Sequence, residues 1–497
     1  MHGNTVSTTS GRVRGIYRKG VFLWRGIPYA SAPEGNLRFK HARPHKGWPG
    51  VLDATRYGNI CPQTGFRAPH KAAEDCLTLN IWAPVASSKK KAVLFYIHGG
   101  SFWRGTGNES RYEGTKLCRN RDVVVVTINY RLGALGFLDF SFLGKGFDTN
   151  CGLSDIVQAL AWVHENIAAF GGDPGNITVI GQSAGANAVS ALVTMPSAKP
   201  YISKAIMMSG CPVWMHTSKN AQDIARQFMD FMELPDANAL RRISADELVK
   251  KQKAFTRQCK IGEGAFSIVI DGKLVPDYPI PAAQQGASAN IPLLIGTTRD
   301  ELSFSCSKLL SGIMAVKDVA FSVLSYEQSG LRKSLAERYR QYYGKRGQVQ
   351  FVTDQIFRMS SLWFAQASAK HAKTWAYSFD YAPLLMQLTQ LGACHSSDIP
   401  FLFGNYSSTR CAYMFLLSPI QKVIRKICDE LQTDFIQFAK TGSLSWTQCS
   451  LSDTPAKCYA YKPQKVAPMV APAISKEYDK SNFKKKSCQS ICPAESV

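Results

Sequence analysis

Five short apolar runs, at residues 92–97, 123–128, 177–180, 205–208 and 292–295, constrain the fold of this chain more than any other feature. None has a polar face, which is the pattern of strands covered on both sides in a parallel sheet. Between the second and third runs, Ile156, Leu160, Val163 and Ile167 recur at helical spacing. Ser154 is the expected N-cap of that helix, and Gly171 and Gly172 with Pro174 its stop. Strand, helix and strand at these lengths make a βαβ unit with a right-handed crossover. The expected class is therefore α/β, with a mostly parallel central sheet flanked by helices.

An apolar share of 45% supplies a large core and excludes a disordered or fibrous chain. No apolar run approaches the ~18 residues that a spanning helix needs, so no transmembrane segment is expected. The N-terminal stretch MHGNTVSTTSGRVRGIYRKG lacks the apolar core of a signal peptide, which makes cytoplasmic residence the expectation. The 14 cysteines are scattered and form no CxxC pair or zinc-like spacing. Cys488 and Cys492 form one CxxxC in a Lys-rich tail and read as incidental. Without repeats or low-complexity linkers, residues 1–497 read as a single domain. Residues 212–285 and 305–370 read as helical insertions over the end of the sheet, the natural wall for a substrate pocket, and 476–497 as a basic tail.

The charge is lopsided: 59 Lys and Arg stand against 36 Asp and Glu, a net +23. Nucleic acid or anionic surfaces are the first partners such a balance suggests. Yet the excess is spread over separate segments, with nine basic residues against one acid in 1–50 and six against one in 331–350. No groove-fitting motif or aromatic-interleaved basic stripe accompanies them, so no specific nucleic-acid partner is expected.

One motif carries chemistry. Gly181-Gln182-Ser183-Ala184-Gly185 follows the 177–180 run and precedes an Ala-rich, helix-compatible stretch. The five letters would arise by chance roughly 0.2 times in such a chain. Their position, strand before and helix after, is that of a nucleophile elbow, in which flanking glycines relieve a sharp turn and the serine stands clear. A nucleophilic Ser183 needs a histidine base and an orienting acid, in the chain order Ser, acid, His. His216 comes too early to leave room for the acid, and His371 lies in a basic helical stretch. His395, after the loop Leu391-Gly-Ala-Cys-His395, fits best. Asp300 or Glu301 is the candidate acid, because both follow the 292–295 run and so face the crevice at the carboxyl ends of the strands. His98-Gly99-Gly100-Ser101, after the first run, matches a loop whose backbone N–H groups of Gly99 and Gly100, joined by that of Ala184, bind a developing oxyanion.

Together with Asn129-Tyr-Arg-Leu-Gly133, Glu74-Asp-Cys-Leu-Thr-Leu-Asn-Ile-Trp82, Phe170-Gly-Gly-Asp-Pro174 and His395-Ser-Ser-Asp-Ile-Pro-Phe-Leu-Phe-Gly404, these segments resemble the type B carboxylesterase (cholinesterase-like) family of α/β hydrolases over nearly the whole chain. The resemblance implies Ser183 as nucleophile, His395 as base and Glu301 as the orienting carboxylate. It also implies an oxyanion hole of Gly99, Gly100 and Ala184, and no cofactor or metal. Cys61 and Cys76 match a pair that closes a disulfide loop in secreted relatives, a bond that reducing cytosol would keep open.

Gln182 stands where many relatives have Glu, Leu302 where a Gly is usual, and Phe435 where Trp is frequent. The loop between Cys61 and Cys76 holds Phe66, Arg67 and Lys71 but no Trp against which a quaternary ammonium could rest. With net charge +23, the expected substrates are neutral or anionic short- to medium-chain esters rather than choline esters. Some members of the family keep the fold without the serine and serve as adhesion proteins; the presence of Ser183, Glu301 and His395 argues for the enzyme.

Overall fold

The computed structural model describes residues 4–64, 71–85, 89–259, 261–303, 330–344, 347–406, 408, 415, 421–461 and 464–468. Phe66, Arg67, Cys488, Cys492, the basic tail and the first part of the second insertion lie outside them.

Among the described residues, the central sheet has 11 strands. In chain order they are β1 (Ile16–Arg18), β2 (Val21–Pro28), β3 (Thr78–Pro84), β4 (Lys91–Ile97), β5 (Val124–Ile128), β6 (Gly172–Gln182), β7 (Lys204–Met208), β8 (Leu293–Thr298), β9 (Thr374–Phe379), β10 (Pro455–Tyr459) and β11 (Gln464–Pro468). Across the sheet they run β11-β10-β9-β8-β7-β6-β4-β5-β3-β2-β1. The block from β10 to β5 is parallel, and antiparallel strands close both edges. The five expected strands are β4 to β8; β9 and the antiparallel edges are additions.

Burial explains why those five read as unbroken apolar runs. Along β4, Val93, Phe95 and Ile97 enter one core, while Leu94 and Tyr96 enter the other. The same split divides Ala205 and Met207 from Ile206 and Met208 in β7. Neither face of the central strands meets water, so apolar residues dominate both faces.

The main helices are α1 (Cys151–Asn166), α2 (Ala184–Leu192), α3 (Ser218–Phe231), α4 (Ala245–Gln258), α5 (Met359–Ala369) and α6 (Gln421–Thr441). Ile156, Leu160 and Val163 of α1 and Leu362 and Phe364 of α5 fill the first core. Ile424, Ile427, Leu431, Phe435 and Phe438 of α6 fill the second, giving a helix layer on each face of the sheet. Phe435 packs edge-on against Tyr377 at 5.3 Å, so a smaller aromatic still fills that position.

α1 starts earlier than its sequence suggests. Ser154 lies inside the helix, its hydroxyl donating to the Cys151 carbonyl at 2.6 Å, and Asn150 occupies the cap position at φ 54°. The reason is tertiary: the Asn150 side chain both accepts from Val269 N–H and donates to its carbonyl, each at 2.8 Å, which ties the helix start to the first insertion. Asparagine tolerates the left-handed region that this tie requires. The insertion itself holds α3, a helix at Ala237–Arg242 and α4, and its strands His216–Thr217 and Val269–Ile270 form a small parallel pair.

Candidate active site

Register places the chemistry. β6 pairs in parallel with β4 and β7, setting Gly181 beside Ile97 and Gln182 beside Met208. Met208 in turn pairs with Gly296 of β8. The chain therefore leaves these four strands at one edge, which brings the segments after Ile97, Gln182 and Thr298 together.

At the end of β6, Ser183 adopts φ 57° and ψ −125°, a conformation few side chains tolerate. It persists because its surroundings fix it. The Ser183 N–H donates to the Met208 carbonyl at 2.9 Å, and its own carbonyl accepts from Ala186 and Asn187 to open α2. A Cβ on Gly181 would strike the Gly185 carbonyl, and one on Gly185 the carbonyl of Ile97. Those two glycines are what allow the turn to pass between strand and helix.

Glu301 and His395 meet directly: His395 Nδ1 lies 2.5 Å from Glu301 Oε2. The Glu301 side chain is wholly buried and that of His395 is 16% exposed. The second carboxylate oxygen accepts from the Thr298 N–H at 2.8 Å, and the His395 N–H donates to the Glu301 carbonyl at 3.0 Å. The adjacent Asp300 turns elsewhere, pairing with Arg299 at 2.9 Å and accepting from the Ala393 N–H at 2.9 Å. Geometry thus separates the two acids: one holds the imidazole, and the other fastens the loop that carries it. His216 is bound to the Gly264 carbonyl at 2.8 Å and His371 to the Gln284 carbonyl at 3.0 Å, both away from Glu301.

The outer nitrogen of His395 has an unexpected neighbour. Its Nε2 lies 3.1 Å from Nε2 of Gln182. Among the described residues, no hydrogen bond joins it to the Ser183 hydroxyl.

The loop after β4 is rigid for several reasons. The buried His98 ring stacks on Tyr130 at 4.4 Å, and the Tyr130 hydroxyl donates to the His98 carbonyl at 2.7 Å. Burial pulls the His98 pKa down to about 4, so the ring is neutral near pH 7. Gly100 sits at φ 122°, where a Cβ would strike the Arg104 carbonyl. Ser101 and Phe102 follow at φ 51° and 57°, two successive strained residues of the kind found at functional sites. A Cβ on Gly99 would stand 2.9 Å from that of Ser183, so the loop passes directly over Ser183.

Ser183 and Ala184 open into a cleft of about 560 Å³. Its walls include Phe102, Trp214, Phe266, Ile356 and Phe357, with Asn187, Ser267 and one carboxylate, Glu263. Arg104 lies 3.9 Å from Glu263. Phe357 stands on a π turn, Asp354–Arg358, held by a 2.6 Å ion pair between those two residues and by the Tyr339 hydroxyl on Asp354 at 2.7 Å. None of these wall residues was legible beforehand, because lone aromatics in irregular insertions follow no period. Both insertions do contribute to the cleft.

Cys61 and Cys76 are buried free thiols, Cys61 raises the cost of ionising Cys76, and Cys61 Sγ accepts from the Leu132 N–H at 3.1 Å. Leu302 is buried in the first core and its N–H donates to the Thr353 hydroxyl, so nothing there demands a glycine. Among the described residues, no group of three or more His, Cys, Asp and Glu is gathered as a metal centre, and no helix is long and apolar enough to cross a membrane.

Comparison with known proteins agrees with this architecture. The para-nitrobenzyl esterase of Bacillus subtilis is 38% identical over 454 residues, spanning 88% of this chain and 90% of the relative. The phenmedipham hydrolase of Pseudarthrobacter oxydans is 34% identical over 88% of this chain and 89% of its own length. Among solved structures, a carboxylesterase of Geobacillus stearothermophilus superposes with a TM-score of 0.84 at 32% identity, covering 96% of this chain and 99% of that one. The model of the carboxylesterase family matches residues 2–489, and the chain is a member of that family, an α/β hydrolase and an esterase.

Proposed function

We propose that the chain hydrolyses carboxylic esters through Ser183, His395 and Glu301 by way of an acyl-enzyme. The observation that carries this reading is the 2.5 Å bond between His395 Nδ1 and the buried Glu301, at the strand edge where Ser183 is exposed by its elbow. With Nδ1–H committed to Glu301, the lone pair of the neutral ring lies on Nε2, the nitrogen that takes the serine proton. The Ser183 oxygen attacks the ester carbonyl, whose oxygen becomes negative against the N–H groups of Gly99, Gly100 and Ala184. His395 then protonates the departing alcohol, and water, deprotonated by the same nitrogen, releases the acid. Glu301 keeps its charge throughout and offsets that of the transient imidazolium. Each oxyanion donor contributes on the order of 3 kcal/mol to the transition state.

The cleft favours uncharged esters with an aromatic or aliphatic body, since aromatic and aliphatic walls dominate it. Of the neutral and anionic esters suggested by the overall charge, the neutral ones fit better, because the one charged wall residue among those described is an acid. Esters of para-nitrobenzyl alcohol, named for the 38%-identical relative, belong first in a substrate panel. The whole chain is taken to act as one catalytic domain.

A fluorophosphonate probe tests the nucleophile. Wild-type protein should be labelled stoichiometrically and Ser183→Ala not at all, with ester hydrolysis lost in parallel. Folded wild-type protein that resists labelling would leave the chain a binding protein on an esterase scaffold.

A further inference from the structure

We infer that Gln182 is a positioning residue that holds the resting His395 by donating its side-chain amide to Nε2, and that it yields this nitrogen to Ser183 when substrate binds. The inference rests on the proposed role of His395 as base. Gln182 ends β6, is 2% exposed, and precedes the nucleophile directly. Its amide reaches both halves of the site: Nε2 lies 3.1 Å from His395 Nε2, and Oε1 lies 2.8 Å from where a Cβ on Gly99 would be. A larger residue at 99 would displace this amide, so the bare glycine serves Gln182 as well as the oxyanion.

The direction of the hydrogen bond follows from the other side of the ring. Nδ1 carries the proton shared with Glu301, so Nε2 of the neutral imidazole has only a lone pair and the NH2 group must be the donor. An amide can make this bond. A carboxylate cannot, unless the ring takes a second proton, which removes the base from service. The lone pair that receives the Gln182 N–H is the one that must receive the Ser183 proton, so the two side chains compete for one site. Substrate has to shift the balance toward the serine.

Other groups face His395 as well. Glu301 holds Nδ1, Phe357 lies across the ring at 4.9 Å, and Asp398 acts on the ring electrostatically from three residues on. Asp300 is committed to Arg299 and Ala393. Among the described residues, the bond on the outer nitrogen comes from Gln182. A donor on Nε2 opposes a second proton there, whereas a carboxylate would attract one. Gln182→Glu reverses that effect by adding a negative charge, and Gln182→Met removes the donor without adding one.

The test is the pH profile of kcat/KM on an uncharged p-nitrophenyl ester. The acid limb should move to higher pH by about one unit in Gln182→Glu and by less than half of that in Gln182→Met. Melting temperature reports folding, and fluorophosphonate labelling at pH 9 reports an intact nucleophile and base. If both labelled, folded variants show the wild-type limb, the role given to Gln182 is wrong. If wild-type protein itself is not labelled, the underlying assignment of the base fails instead.

Discussion

His395 and Glu301 share a 2.5 Å hydrogen bond across 94 residues of sequence, and the carboxylate end of it is entirely buried. Two backbone donations, Thr298 N–H to the carboxylate and His395 N–H to the Glu301 carbonyl, fix these two side chains to each other independently of substrate. Glu301→Gln keeps the size of the side chain and removes its charge. The amide can present NH2 to Nδ1, which selects the tautomer with its proton on Nε2 and blinds the base. Hydrolysis of p-nitrophenyl esters should fall roughly ten-thousand-fold in kcat, with little change in melting temperature. A loss under tenfold would remove Glu301 from the triad.

Glu263 lines the cleft and should make it select against negative charge. Its side chain is 24% exposed and Arg104, 39% exposed and 3.9 Å away, screens it only in part. An ester bearing a carboxylate, such as p-nitrophenyl hemisuccinate, should react more slowly than an uncharged ester of equal length. In Glu263→Gln the ratio of kcat/KM for the anionic over the neutral ester should rise by about tenfold, a partly screened interaction of one charge with another. The rise should shrink at high salt. An unchanged ratio would mean that the far end of the substrate lies elsewhere.

Cys61 and Cys76 are neighbouring thiols inside the first core. Purified under reductant, the protein should present both as free thiols to a denaturing titration. Mild oxidation should join them and close a loop of about 15 residues, a constraint worth on the order of 3 kcal/mol against the unfolded chain. The melting temperature should therefore rise on oxidation and return with reductant, and Cys61→Ala should abolish the rise. Peptide mapping that finds either thiol joined to another partner would refute the pairing.

The strands that carry the site were legible because burial on both faces leaves an apolar run in each of β4 to β8. The elbow was legible because steric clash with Ile97 and Gly185 leaves glycine as the sole fit at 185 and 181. Position along the chain selected His395, yet it left Asp300 and Glu301 open, since residues one apart on a loop differ only in what each faces. The structure separates them through Ala393 and His395. The segments that wall the pocket were legible, but not which of their residues line it. Trp214, Glu263 and Phe357 come from irregular segments whose placement depends on tertiary ties such as Asn150 to Val269 and Asp354 to Arg358. Local sequence does not encode such ties as a pattern.

Asp398 supplies a pH dependence of stability. It is fully buried, its Oδ2 accepts from the Tyr377 hydroxyl at 3.2 Å, and its Oδ1 has no partner among the described residues. Burial, reinforced by the nearby charge of Glu301, raises its pKa from 3.8 to about 7. The folded state thus binds a proton that the unfolded chain releases near pH 4, so this group favours folding most below that point. The advantage is lost progressively as the pH rises to about 7, where the buried carboxyl must ionise as well. The cost across that window is on the order of 2–4 kcal/mol. In Asp398→Asn nothing titrates at this position, and the amide can still accept from Tyr377. Measured by urea denaturation from pH 4.5 to 8, the variant should gain stability relative to wild type as the pH rises, with most of the gain below pH 7. Parallel curves for the two proteins would show that Asp398 is ionised in the folded state throughout.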